Sequence, residues 1–157
     1  MNVVARPATT DDLDELVRLY RLLAAEMREY HRMWELADGL TEPVIDALRQ
    51  ALQDHDTVIY LGMIDDAVFG FILGRSEPLL AQAQGERIGS IRFVFTEQEA
   101  REVGVGEAMR DALLEEFRGR GLRLFDAHVL PGHRLVKNFF ESGGFSARSI
   151  VMHHRDD

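Results

Sequence analysis

The segment from Arg87 to Leu130 constrains the fold more than any other part of the chain. It opens with RIGSIRFVFT at 87–96, a β-branched and aromatic stretch that predicts a strand. Val105, Ala108, Met109, Ala112, Leu113 and Phe117 then recur at three- and four-residue steps. That spacing is one face of a helix, and Gly119 and Gly121 stop it. LRLFDAHVL at 122–130 predicts the next strand. A strand, a helix of about fifteen residues and a second strand form a crossover, which forces the two strands parallel with a right-handed connection.

The rest of the chain supplies the neighbours of this unit. Residues 2–5 predict a first strand ending before Pro7. Thr9-Thr10-Asp11-Asp12 offers capping oxygens and first-turn acids. Leu13, Leu16, Val17, Tyr20, Leu23, Ala24 and Met27 mark a long amphipathic helix. Thr41-Glu42-Pro43 opens a second helix with an apolar face of Val44, Ile45, Leu48 and Leu52. TVIYLGMI and AVFGFILGRS, joined by Asp65-Asp66, predict an antiparallel hairpin, followed by a loop at 77–85. Gly89 suggests a bulge or a close backbone approach. After the crossover come a turn at Pro131-Gly132, a short helix over 133–142 and a last strand in FSARSIVMHH. The order β-α-α-β-β-β-α-β-α-β predicts an α/β fold of the mixed α+β kind. Its sheet is mixed and mostly antiparallel, with helices on both faces. A chain of 157 residues without a linker or repeat reads as one domain over 1–157.

Composition narrows the function. Lys and Arg total 18 against 27 Asp and Glu, a net charge of −9. That balance argues against general nucleic-acid binding, which needs an electropositive face. Cysteine is absent, so thiolate nucleophiles, disulfides and Cys metal sites are excluded. No apolar run approaches the ~18–20 residues of a membrane span, so no membrane partner is expected. With no signal-like segment at MNVVARPATTDD, the expected location is cytoplasmic. No metal is expected either: HExxH is missing, and adjacent His153 and His154 on a strand would face opposite ways.

Chemistry concentrates at Arg101-Glu102-Val103-Gly104-Val105-Gly106, between a strand and a helix. Without Cβ atoms, Gly104 and Gly106 let a ligand approach the backbone. The amides of 103–107 would be unsatisfied donors of the first helical turn, suited to a diphosphate. No Gly-Lys-Ser/Thr follows, so this is not a P-loop. Met109 stands where the dinucleotide fingerprint needs a third small residue. A tight turn that binds nothing and a nucleotide-binding α/β domain both remain compatible with these residues.

In element order and motif, the chain resembles the GCN5-related N-acetyltransferase (GNAT) superfamily. Arg101, Gly104 and Gly106 match that family's Arg/Gln-x-x-Gly-x-Gly/Ala at the end of the fourth strand. HVLPGHRLVKNFFESGGF, with Phe139, Phe140, Gly144 and Phe145, matches its second signature. The resemblance covers essentially the whole chain. It implies binding of acetyl-CoA or another acyl-CoA. The diphosphate would lie on Arg101, Glu102, Val103, Gly104, Val105 and Gly106, the pantetheine arm along Val94, Phe95 and Thr96, and Phe140 beside the carrier. It also implies direct acyl transfer to an amine of a small molecule or peptide. A base takes the ammonium proton, and backbone amides stabilise the oxyanion.

Three positions differ from the family pattern. Phe140 stands where a tyrosine usually protonates the thiolate, His133 where Asn is common, and Arg92 where a carboxylate is frequent on the fourth strand. His128 and His133 are therefore the candidate proton-transfer residues, since a neutral imidazole accepts a proton near neutral pH. The resemblance places the segment after the first helix beside the acceptor. Tyr30 and Trp34 are its candidate contacts, suited to a cationic amine. With one strand after Gly144-Phe145, an unpaired sheet edge predicts a homodimer. A catalytically degenerate acyl-CoA-binding or regulatory module is the rival reading.

Overall fold

The computed structural model describes residues 1–30, 39–130 and 132–156, Tyr30 in its backbone alone. Strand β1 (Val3–Pro7) leads into a 3-10 turn at Thr10–Asp12 and helix α1 (Leu13–Tyr30). The turn is locked by Asp12. Its Oδ2 accepts the Thr9 backbone N–H at 2.8 Å, and Arg6 grips both carboxylate oxygens at 2.9 and 2.8 Å. These bonds, the Arg6 bond foremost, hold the Asp12 carboxyl below the usual carboxylate range against its burial. Helix α2 (Val44–Gln53) follows, then strands β2 (Thr57–Ile64) and β3 (Ala67–Pro78). Strand β4 (Arg87–Thr96), helix α3 (Val105–Gly119), strand β5 (Phe125–Ala127) and helix α4 (Arg134–Ser142) complete the order.

One five-stranded sheet runs β1-β2-β3-β4-β5. The first three pairings are antiparallel, and β4 pairs with β5 in parallel, as the crossover requires. Side-chain alternation divides the apolar residues between two faces. Leu61, Phe71, Leu73, Phe93 and Phe95 pack with Leu16, Leu19, Leu23 and Met27 of α1 and with Val44 and Leu48 of α2. Val58, Ile72 and Ile91 pack with Val105, Met109, Leu113 and Phe117 of α3 and with Phe140 of α4. The mixed α/β architecture with helices on both faces is therefore as expected.

Three expectations are corrected, and the alternatives at Gly89 are decided. Glu77 and Pro78 belong to β3, and a 3-10 turn occupies Ala81–Ala83, so 77–85 is not all loop. Gly89 is not at a bulge. It is a close approach, where a Cβ would come within 2.5 Å of the Phe117 ring. The register shift lies instead between Leu73 and Gly74, which pair with Phe93 and Ile91 and leave Arg92 as the extra residue. Strand β5 has three residues rather than the nine of 122–130, because its ladder with β4 ends at Ile91↔Ala127. The last strand expected over 145–154 does not form. Among the described residues no backbone ladder receives it. Ile150, Val151 and Met152 are 74–88% exposed, and the segment is held by Arg148, which clasps Asp126 at 2.7 and 2.6 Å.

Candidate functional site

The parting of β4 and β5 organises the site. Their ladder runs from Gly89↔Phe125 to Ile91↔Ala127, and the His128 N–H donates to the Ile91 carbonyl at 3.1 Å. Beyond this rung, Phe93 to Thr96 stay paired with β3 on one side only. The other edge of β4 opens towards the segment that leads into α4. Val94, Phe95 and Thr96 lie along this open edge, with Phe95 buried and Val94 and Thr96 half-buried. At the vertex, His128 Nε2 lies 2.9 Å from Ser90 Oγ and 3.1 Å from Arg92 Nη1. Arg92 Nη1 also lies 3.6 Å from Glu77 of β3.

The open edge runs into the glycine loop. Glu102 and Gly104 both take left-handed backbone, φ +70° and +96°. For Gly104 this costs little, whereas a glutamate there carries strain of about 1–2 kcal/mol. Gly104 sits at the N-cap of α3, where no side chain caps the helix, and its carbonyl accepts the Ala108 N–H at 3.0 Å. The next amides lack intrahelical acceptors and carry the positive end of the helix dipole. A Cβ on Gly104 would meet nothing within 4 Å, so that side of the turn stands open. Open amides at a helix start fit a diphosphate.

Gly106 serves a different purpose. A Cβ there would lie 3.2 Å from the Phe139 ring, so its smallness lets α4 close over the first turn of α3. Arg110, one turn on, fixes this contact. It is buried, donates to the Phe139 carbonyl at 2.9 Å and lies 4.8 Å from the Phe139 ring centroid. Phe140 is only 3% exposed and packs edge-on against Phe139 and Phe145, at 5.0 and 5.3 Å between centroids.

Arg101 turns away from the loop it begins. Its Nε donates to the Thr96 carbonyl at 2.8 Å, and its Nη2 reaches both Glu26 oxygens at 2.8 and 3.0 Å. A cleft of about 310 Å³ lies between α1 and this connection, bordered by Glu26, Glu29, Glu97, Glu99 and Arg101. His133 occupies the N-cap of α4 and is half-buried. Burial pushes its pKa below the ordinary 6.5 and outweighs the opposing charge of Glu26, while Arg101 adds to the lowering.

The structure thus brings Val94–Thr96, the 101–106 loop, His128 and His133 to the open side of β4. Trp34 lies outside the described residues, and so does the Tyr30 side chain. Sequence reasoning missed Glu26, Ser90 and Glu77. For Glu26 a signal existed: it stands seven residues after Leu19 and three after Leu23, a carboxylate on an otherwise apolar helical stripe. Ser90 is 1% exposed in mid-strand, and only its contact with His128 gives it meaning. No group of three or more His, Cys, Asp or Glu able to hold a metal occurs among the described residues.

Solved structures superpose over nearly the whole chain at low identity, which shows the fold. A transcriptional regulator from Bacillus halodurans C-125 is 22% identical, with TM-score 0.76 over 98% of this chain and 100% of that one. AAC(6')-Iy, solved with the bisubstrate analogue CoA-S-monomethyl-acetylneamine, is 16% identical, with TM-score 0.76 over 100% and 99%. A ribosomal-protein-alanine N-acetyltransferase from Brucella melitensis biovar Abortus 2308 is 17% identical, with TM-score 0.71 over 99% and 100%. A search of curated proteins returned no match. The model of the acetyltransferase (GNAT) family matches residues 16–145, and the chain belongs to that family.

Proposed function

We propose that this protein transfers an acyl group, acetyl foremost, from acyl-CoA to a primary amine of a small molecule or peptide. One observation carries the reading. The edge of β4 from Phe93 to Thr96, with no strand beside it among the described residues, leads directly to the uncapped start of α3 at Gly104. In this reading the 103–107 amides hold the diphosphate, and the free backbone of Val94–Thr96 pairs with the pantetheine arm. The acyl carbon then lies near the vertex, where an amine attacks it directly. The chain has no cysteine to carry the acyl group itself. His133, kept neutral by burial, is the base that removes the ammonium proton. The carboxylates around the cleft beside Glu26 support a cationic acceptor.

Because the chain has no thiol, CoA release can be followed with a thiol reagent without background. Acetyl-CoA offered with a panel of diamines, aminoglycosides and peptide amines is expected to give amine-dependent thiol release. Tight acetyl-CoA binding with no release on any amine would favour the second reading, an acyl-CoA-binding module without turnover. The observation behind that alternative is Phe140, buried and without a hydroxyl at the position where the family usually has its acid.

We further read the chain as one domain acting as a cytosolic homodimer. The sheet order ends at β5, whose outer edge has no strand beside it among the described residues. Light scattering at high micromolar concentration tests this, and a monomer there would contradict it. Among the described residues, no helix is long and apolar enough to cross a membrane.

A further inference from the structure

The vertex of β4 and β5 carries a hydrogen-bond constraint with a chemical consequence. His128 Nε2 lies 3.1 Å from Arg92 Nη1 and 2.9 Å from Ser90 Oγ. A guanidinium has only N–H donors and keeps its proton at any ordinary pH. A ring nitrogen bonded to it must present its lone pair and cannot carry a proton at the same time. The single N–H of a neutral ring then belongs to Nδ1, across the ring from this contact. The hydroxyl of Ser90, 1% exposed between Gly89 and Ile91, is held at the same nitrogen.

We propose that Arg92 is a positioning residue that fixes His128 as a neutral Nδ1–H imidazole, so that His128 serves the reaction as a hydrogen-bond donor and not as its base. The proposal rests on the acyl-transfer reading and assigns the work left open by Phe140. A tyrosine at 140 would donate to charge developing on sulfur or on the carbonyl oxygen. A neutral imidazole N–H at the vertex supplies such a donor. No proton changes hands at this ring. The ammonium proton goes to His133, the nitrogen gives its second proton to water once the C–N bond has formed, and the C–S bond breaks to release a thiolate that is protonated from solvent.

The groups around His128 agree with a fixed ring. Ser90 and Arg92 face it from β4. Glu77 of β3 lies behind Arg92 at 3.6 Å and holds the guanidinium towards the vertex. Asp126 of β5, two residues earlier in the chain, is occupied by Arg148. Arg92 is the extra residue at the bulge and stands two positions after Ser90, the spacing that puts alternate residues on one face of a strand.

The test combines a spectroscopic and a kinetic arm. Long-range ¹⁵N–¹H spectra of histidine-labelled protein at pH 7.5, without CoA, are expected to show His128 protonated at Nδ1 and bare at Nε2. Arg92→Gln should move it towards the Nε2–H tautomer, while Arg92→Lys, which keeps a cationic donor, should preserve Nδ1–H. His128→Asn places an amide N–H close to where Nδ1–H stood. It should keep kcat within about tenfold of the parent, whereas His128→Ala should lose about 100-fold. An Nε2–H or doubly protonated His128 in the parent protein would overturn the proposal, and so would an Asn variant as slow as the Ala variant. If no amine is acetylated at all, the acyl-transfer reading fails, and the donor role built on it fails with it. The tautomer spectra then still decide whether Arg92 fixes the ring.

Discussion

Arg101 and Glu26 meet across the open end of β4, with the guanidinium Nη2 2.8 and 3.0 Å from the two carboxylate oxygens. Arg101 also holds the Thr96 carbonyl, so one side chain ties α1 to the strand end and to the start of the glycine loop. A residue matched to a phosphate-binding motif thus also serves as a strut. Glu26→Gln and Arg101→Gln should each cost about 1–2 kcal/mol, since charge-assisted bonds contribute about 1.5–3 and this pair is partly exposed. The melting temperature should fall by about 3–6 °C. The double variant should lose little more than either single one, the mark of a shared interaction, and calorimetric melting of the three proteins checks it.

Gly106 and Gly104 should fail in different ways. Gly106→Leu drives a side chain into the Phe139 ring, 3.2 Å from where its Cβ would lie. It should weaken acetyl-CoA binding at least tenfold, about 1.4 kcal/mol, by displacing α4 from the first turn of α3. Gly104→Ala has space for its methyl group but must hold φ +96°, costing about 1–2 kcal/mol of stability. Binding titrations paired with urea unfolding separate the two.

His133 sets an expected pH dependence. Its folded pKa lies below 6.5, chiefly through burial. On acidification through about 6.5, the unfolded chain takes up a proton that the native one refuses. Stability contributed by the neutral ring is therefore full above that pH. It is lost progressively as pH falls through 6.5 to the folded value. His133→Gln should flatten this part of the stability profile. If His133 is the base, the acid limb of kcat/KM should lie below pH 6.5 in the parent and vanish in the variant.

Arg110 is buried between α3 and α4, and removing it should loosen both. Arg110→Leu gives up the bond to the Phe139 carbonyl and the contact with its ring. A loss of about 1–3 kcal/mol follows, read as a lower urea midpoint.

Much of this fold was legible in the sequence because periodicity reports burial. Leu16, Leu19 and Leu23 on α1, and Met109, Leu113 and Phe117 on α3, are all buried at the helical spacing their positions announce. The Gly104 turn was legible for the same reason of local chemistry, and it takes the left-handed conformation that suits glycine. What failed depended on partners. LRLFDAHVL has strand-forming residues, yet only Phe125–Ala127 pair, because β4 turns away after Ile91. FSARSIVMHH has the composition of a strand and no ladder to join. The tie from Arg101 to α1 was not legible, because Glu26, its partner, lies 75 residues away. The vertex was half legible: His128 and Arg92 stood out by residue type, while Ser90 and Glu77 gain their meaning only from the sheet register.

The central claim is that the start of α3 grips the diphosphate of CoA. Isothermal titration of acetyl-CoA into the parent protein and into Gly106→Leu, at two temperatures so that a vanishing enthalpy at one does not hide binding, addresses it directly. The parent is expected to saturate at one site per chain, and the variant to bind at least tenfold more weakly. No saturable heat from the parent at either temperature, or equal affinity in both proteins, would contradict it.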